Sequence, residues 1–250
     1  MVVLHTPDQN AAMRTAGQLV AQTFAHMMPL IVPGVSTLAL DTAAEAFIRA
    51  HGATPAYKGY LGFPATICVA PNNVICHGIP SAGDILRDGD ILGLDIGVIV
   101  NGWYGDACIT VPVGNIRAEA QQLLDVTAEC LRRGIAAATI GNTLGDIGAA
   151  IQRYAESHGY SVVREYTGHG VGQRLHQEPT VHHVGKAGTD LPLKAGMIFT
   201  IEPMINMGTH KTTLDKKDKW TVRTADGKLS AQFEHTIAIS AEGPQILTLP

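Results

Sequence analysis

The chain has 250 residues, 46% hydrophobic and 16% charged, a balance that excludes a disordered or fibrous protein and suffices for a sizeable core. Its net charge of −4 argues against a specific nucleic-acid or membrane partner. No apolar run approaches the ~18–20 residues of a membrane span, and the opening MVVLHTPDQN lacks the basic and apolar regions of a signal peptide. The four cysteines, Cys68, Cys76, Cys108 and Cys130, form no C-x-x-C pair and read as reduced thiols of a cytoplasmic protein.

In chain order, Asp8 to about Met28 carries Met13, Ala16, Leu19, Val20 and Phe24 at helical spacing. Pro33-Gly34 breaks that helix, and Ser36 caps a second that ends at His51-Gly52. Short β-like runs follow, TICVA and NVICH, then a long hairpin turning at Asn101-Gly102. The order then repeats. Residues 117–136 are helical, Thr143 caps a helix ending at His158-Gly159, and strand-like SVVREY, GMIFTIEPMI, KWTVRT and SAQFEHTIAI come after. At an offset of 107, Gly34, Ala43, His51 and Gly52 match Gly141, Ala150, His158 and Gly159. The reading is an α+β fold of one catalytic domain, 1–250, whose halves of about 5–113 and 114–248 meet at a shared seam.

The hairpin poses a chemical question. With a two-residue turn, Val100 faces Trp103, Asp106 lies opposite Gly97, and Asp95 lies opposite Cys108. Both aspartates then project from one face as diagonal neighbours, about 7–8 Å apart. No lysine or arginine lies between Asp90 and Arg117 to neutralise them, so a metal is the economical partner. Glu202 and Glu234 sit inside apolar runs of the second half, each as a carboxylate embedded in a central strand. His169 stands among Gly168, Gly170 and Gly172, which allow close backbone approach to a ligand. Four carboxylates and one imidazole balance two divalent ions of the Mn²⁺, Fe²⁺, Co²⁺ or Zn²⁺ kind, about 3.5–4 Å apart, with hydrolysis the implied chemistry.

The order Asp95, Asp106, His169, Glu202, Glu234, in the contexts NNVICHGIP, LDIGVIVNGWYGD, GHGVGQRLHQEP, FTIEPMI and SAQFEHT, closely resembles the methionine aminopeptidases. The short bacterial type I enzymes are the nearest in pattern, and the resemblance runs from about residue 5 to 248. It implies the pita-bread α+β fold with internal pseudo-twofold symmetry. It implies an aminopeptidase that removes the initiator methionine from nascent chains when the second residue is small. In that pattern Asp95 chelates one ion, His169 and Glu202 bind the other, and Asp106 and Glu234 bridge them. A bridging water or hydroxide attacks the scissile carbonyl, and Glu202 shuttles the proton.

The same resemblance assigns His77 and His176 to substrate, His176 polarising the carbonyl. It places Tyr60, Phe63, Cys68, Leu175 and Trp220 in an apolar methionine pocket, although relatives commonly carry an aromatic at Leu175 and some carry a small residue at Tyr57. His235 points to the opposite strand face from Glu234, while His182, His183 and His210 read as solvated. The segment MGTHKTTLDKKDKW, with Lys211, Lys216, Lys217 and Lys219, reads as a solvated loop or a ribosome contact. The partner otherwise implied is a nascent N-terminus, bound by a monomer. Proline-directed peptidases of the same fold are the nearest rival; a non-enzymatic binding protein is the rival from another class, disfavoured because all five ligand positions are filled.

Overall fold

The computed structural model describes residues 2–250. Helix α1 (Pro7–Met27) starts at a capping box in which Thr6 and Gln9 exchange side-chain and backbone hydrogen bonds. Helix α2 (Thr37–Ala50) starts where the Ser36 hydroxyl accepts from the Ala39 N–H. After α3 (Ala118–Ala137), helix α4 (Leu144–Ser157) opens with the Asp146 carboxylate accepting from both the Thr143 N–H and its hydroxyl.

Helices α2 and α4 echo each other beyond their equal length of 14 residues. His51 and His158 each end a helix with the ring Nδ1 near the carbonyl four residues back, at 2.8 and 2.9 Å. Both rings pack on an aromatic, Phe47 and Tyr154. Gly52 and Gly159 then take φ of +72° and +79°, the left-handed state that stops a helix. Ser36 bridges to Ile85 as Thr143 does to Pro192, so the offset of 107 persists into the loops.

The hairpin strands Ile91–Val100 and Trp103–Pro112 pair without interruption from Val100/Trp103 to Ile91/Pro112. Asn101 and Gly102 have φ of +50° and +81°, as the tight turn demands. Asp95 therefore lies opposite Cys108, and Asp106 opposite Gly97, in the register the sequence implies. The other edge of Ile91–Val100 is taken by Thr54–Pro55 and Ile67–Pro71, which makes it a central strand. Helix α1 crosses this hairpin closely: a Cβ on Gly105 would stand 2.6 Å from the Ala16 carbonyl carbon.

The second half differs from the sequence expectation at both glutamates. Strand Ile198–Ile201 pairs with His235–Ser240, and Met204–Asn206 pairs with Ser230–Gln232. Glu202-Pro203 and Phe233-Glu234 are the gaps between them, so neither glutamate is inside a strand. Ile201 pairs with His235 and Met204 with Gln232, so one register continues across the gap and sets Glu202 opposite Glu234. Pro203 supplies the physical reason, since it has no N–H for the ladder. Gly168–Gly170 lies between Ile198–Ile201 and Gln177–Val181, while Gly243–Ile246, Gln177–Val181 and Ser161–Val162 are edge strands. The lysine-rich segment is more ordered than a solvated loop: Thr212–Leu214 pairs with Val222–Thr224, which pairs in turn with Val74–Cys76.

Two apolar cores follow the two helix pairs. One gathers Val20, Leu40, Ile48, Leu94 and Ile96; the other gathers Leu123, Ile147, Ile151, Phe199 and Ile201. A smaller cluster draws Tyr57, Phe63 and Cys68 from the first half together with Leu175 from the second. All four cysteines are free and buried. Gly105→Ala forces its new methyl against the backbone of α1, so urea unfolding should show a loss of about 1–3 kcal/mol.

Candidate metal centre and adjoining cavity

The halves are stitched together beside the carboxylates. The Thr236 hydroxyl donates to the Asp106 carbonyl at 2.7 Å, and the Glu234 N–H donates to the Cys108 carbonyl at 2.8 Å. Thr110 donates its hydroxyl to the Gln232 carbonyl and accepts from the Gln232 N–H. These contacts step along strand Trp103–Pro112 two residues at a time. One of the donors, the Glu234 N–H, belongs to the gap at Phe233-Glu234 and finds in Cys108 the partner it lacks in the ladder.

Asp106, Glu202 and Glu234 are buried, while Asp95 and His169 are partly so. Ligand atoms of Asp106, His169 and Glu234 lie within 4.8 Å of one another. His169 Nε2 is 3.6 Å from Asp106 Oδ2 and 3.6 Å from Glu202 Oε1, too long for hydrogen bonds. Donors about 2.0–2.2 Å from a shared tetrahedral ion stand about 3.4 Å apart, so the spacing fits a common cation. The His169 Nδ1 lies 3.1 Å from the Gly170 carbonyl. A proton on Nδ1 donated there leaves the Nε2 lone pair facing the carboxylates. No lysine or arginine lines the site among the described residues. An oxygen-rich, anionic set with one imidazole and no organic cation is the donor chemistry of a divalent metal.

The sequence matches metallopeptidase family M24 over residues 11–241. The chain belongs to that family. It is 52% identical to methionine aminopeptidase A of Synechocystis sp., over 95% of this chain and 93% of that protein. The crystal structure of methionine aminopeptidase from Rickettsia prowazekii superposes with a TM-score of 0.98 at 46% identity, over the whole of both chains. Prolidase from Pyrococcus furiosus shares the fold at a TM-score of 0.81 and 20% identity, and this chain covers 66% of it. Within M24, then, the chain groups with the methionine aminopeptidases and has their pita-bread fold. A divalent metal belongs to the chemistry of the family.

The M24 cluster forms the floor of a cavity of about 200 Å³. All twelve side chains singled out in the sequence line it: Asp95, Asp106, His169, Glu202, Glu234, His77, His176, Tyr60, Phe63, Cys68, Leu175 and Trp220. Phe63, Cys68 and Leu175 are buried walls, whereas Tyr60 and His176 stand at the rim, the tyrosine hydroxyl 2.8 Å from the His176 Nδ1. The His176 ring also packs on His169, with centroids 4.1 Å apart. His77 has φ +56°, a left-handed conformation uncommon outside glycine that is held here at a functional cavity. Its ring meets Tyr166 and Trp220 edge-on.

Two lining residues lie outside the site set drawn from the sequence. Leu61 stands at the mouth, and the Tyr57 hydroxyl lies between Asp95 Oδ1 and Asp106 Oδ1, with a single proton to donate to one or the other. Gly97 makes room for that phenol, since a Cβ there would lie 2.5 Å from its ring. Glu202 has donors of its own. Thr200 reaches Oε1 at 2.7 Å and Gln232 reaches Oε2 at 3.2 Å. His235 points away and bonds to Thr248. His182 is exposed and His210 half-buried, but His183 is buried, contrary to the solvated reading; its Nε2 accepts the Glu202 N–H.

Burial dominates the ionisation of the cluster. It raises Asp95, Glu202 and Glu234 well above the ordinary carboxylate range, with mutual repulsion adding to the effect. Asp106 is pushed up to about 6 by burial, against the opposing hydrogen bond from Tyr57. Burial also holds His77, His169 and His176 down to about 4, so these rings are neutral at pH 7.

A raised carboxylate pKa favours the folded state at low pH, and that contribution is lost as pH climbs through the folded value of about 6. In chelator-treated protein at pH 7, Asp106→Asn should therefore increase the unfolding free energy by about 3 kcal/mol. At pH 4 the same substitution should change it little. Urea unfolding at the two pH values checks both sign and window.

Proposed function

We propose that the chain is a metal-dependent aminopeptidase that removes the N-terminal methionine from nascent proteins and peptides whose second residue is small. The observation that carries this reading is the joining of two unlike surfaces in one cavity. Its floor is an anionic, metal-fitting cluster, and its walls are apolar and aromatic with the Cys68 thiol among them. Soft and aromatic walls suit a thioether side chain. The small volume favours one terminal residue over an internal stretch of peptide. The kinship with methionine aminopeptidases supports the same choice.

In this reading Asp95 would hold one divalent ion, His169 and Glu202 would hold a second, and Asp106 and Glu234 would serve both. Such ions supply Lewis acidity and water acidic enough to ionise near neutrality. Co²⁺, Mn²⁺, Fe²⁺ and Zn²⁺ all suit the donor set. Glu202 takes the proton of the attacking water and delivers it to the departing amine. Burial raises its basicity for that task, while Thr200 and Gln232 fix its oxygens. His176, neutral at pH 7, donates to the substrate carbonyl as negative charge builds on its oxygen. His77 orients the peptide, and Tyr60, Phe63, Cys68, Leu175 and Trp220 enclose the methionine.

We infer further that residues 1–250 form one catalytic domain, with halves of about 5–113 and 114–248, acting as a cytoplasmic monomer on emerging N-termini. The hairpin bearing Lys211, Lys216, Lys217 and Lys219 offers positive charge for a ribosome contact. No helix among the described residues is long and apolar enough to cross a membrane.

The test is to strip the protein with a chelator and follow methionine release from a Met-Gly peptide as Mn²⁺, Fe²⁺ or Co²⁺ is returned. An Xaa-Pro peptide is run in parallel. Metal-dependent release of methionine alone is the expected result, and Asp106→Asn should reduce it to background. Cleavage of the Xaa-Pro peptide would move the protein to the proline-directed branch, and silence on both with metal bound would make it a binding protein. Because Asp106 gains its proton below about 6, apparent metal affinity should fall as pH drops from 7 to 5.

A further inference from the structure

His183 is the buried histidine that the proposed reaction does not use. It is 1% exposed and lies outside the cavity lining. Its Nε2 accepts the Glu202 N–H at 3.0 Å, and its Nδ1 has no partner. An imidazole that accepts at Nε2 is neutral and carries its proton on Nδ1. Burying that N–H unpaired is unfavourable, and placing a polar ring there calls for a compensating role.

The gap at Glu202-Pro203 identifies the role. Glu202 has left the ladder that ends at Ile201, so its N–H lacks a strand partner. The His183 ring stands in for the missing strand. It is carried there by the segment after strand Gln177–Val181, which packs on helix α4 so closely that a Cβ on Gly148 would stand 2.8 Å from the His182 carbonyl oxygen and 2.7 Å from that of Val184. The segment is fastened to the same helix beyond this point. The Gly185 N–H donates to Gln152, and the Gly188 N–H donates to Asp146.

We propose that His183 is a positioning residue for Glu202: its neutral ring anchors the peptide nitrogen, while Thr200 and Gln232 anchor the two carboxylate oxygens. Three contacts from three elements then define where the carboxylate points. This assignment rests on the reading of Glu202 as a metal ligand and proton carrier. It predicts that His183 affects metal binding without touching metal or substrate.

The experiment compares wild-type protein with H183Q, H183L and H183N. Mn²⁺ affinity is measured by calorimetry, geometry by the visible absorption of the Co²⁺ form, and fold by thermal unfolding. The glutamine amide oxygen reaches the place of Nε2, asparagine's only that of Nδ1, and leucine supplies no acceptor. Loss of a partner that orients a ligand typically costs 10–100-fold in metal affinity, so H183L and H183N should weaken Mn²⁺ binding by about that factor and alter the Co²⁺ spectrum, with H183Q within about threefold of wild type. A folded H183L that lowers only the melting temperature, leaving Mn²⁺ affinity and the Co²⁺ spectrum unchanged, overturns the assignment. Should H183L not fold, equal affinities for H183Q and H183N overturn it instead. Wild-type protein that neither binds Mn²⁺ nor releases methionine would defeat the proposed function and His183 with it. Wild-type protein that does both, matched by its variants, would defeat the His183 assignment alone.

Discussion

Four carboxylates share one largely buried seam, and the rest of the structure is arranged around that repulsion. No lysine or arginine lines their cavity among the described residues. Like charges held this way need either protons or a metal between them. Neutral hydrogen-bond donors surround the cluster in place of cations: the Tyr57 phenol, the Thr200 hydroxyl and the Gln232 amide. Each can fix an oxygen without neutralising it, so the negative potential remains available to an incoming ion. An arginine in any of these places would satisfy the same oxygen and compete with that ion.

The two pairs of carboxylates are held by different means. The aspartates stand on an unbroken hairpin, where strand pairing sets the face they project from and the Tyr57 phenol meets both carboxylates. The glutamates stand where two paired strands lapse together for two residues. Leaving the ladder frees their side chains to turn toward the seam, but it also exposes backbone groups that must find other partners. Cys108 and His183 provide them for the two glutamate N–H groups, from the hairpin and from a segment against α4. The flat geometry of a sheet and the convergent geometry of a metal site are reconciled by local interruption of the ladder, with its hydrogen bonds redirected across the seam.

This contrast explains what could be read in advance. The Asn-Gly turn specifies its own length and twist, so the positions of Asp95 and Asp106 followed from counting. The caps of α2 and α4 were equally legible, because Ser36, Thr143, Gly52 and Gly159 act on backbone within a few residues of themselves. The lapses at Glu202 and Glu234 were not. Their surroundings have the apolar composition of continuous strands; Pro203 is the one local signal, beside Glu202, and at Glu234 only the partner across the gap makes the break visible. His183 was hidden for a related reason. Beside exposed His182 and shortly before Gly185 it looks like loop, and its burial depends on a close approach by Gly148 of a distant helix. The residue types of the cluster were local information, whereas the scaffold that aims them was largely tertiary.

The packing of Gly17 has a consequence for how the molecule is made. A Cβ there would lie 2.3 Å from the Leu247 carbonyl oxygen, so the first helix is seated against the end of the last strand. Together with a cluster drawn from residues as far apart as Asp95 and Glu234, this makes the contacts of the protein predominantly long in sequence. Such topologies fold slowly, because loops must close before their contacts reward closure. A chain still lacking its final segment has neither the seat for α1 nor the strand that continues from Glu234. Assembly of the seam is thus a late and concerted event, and a half-made copy of this enzyme presents at most an isolated pair of aspartates.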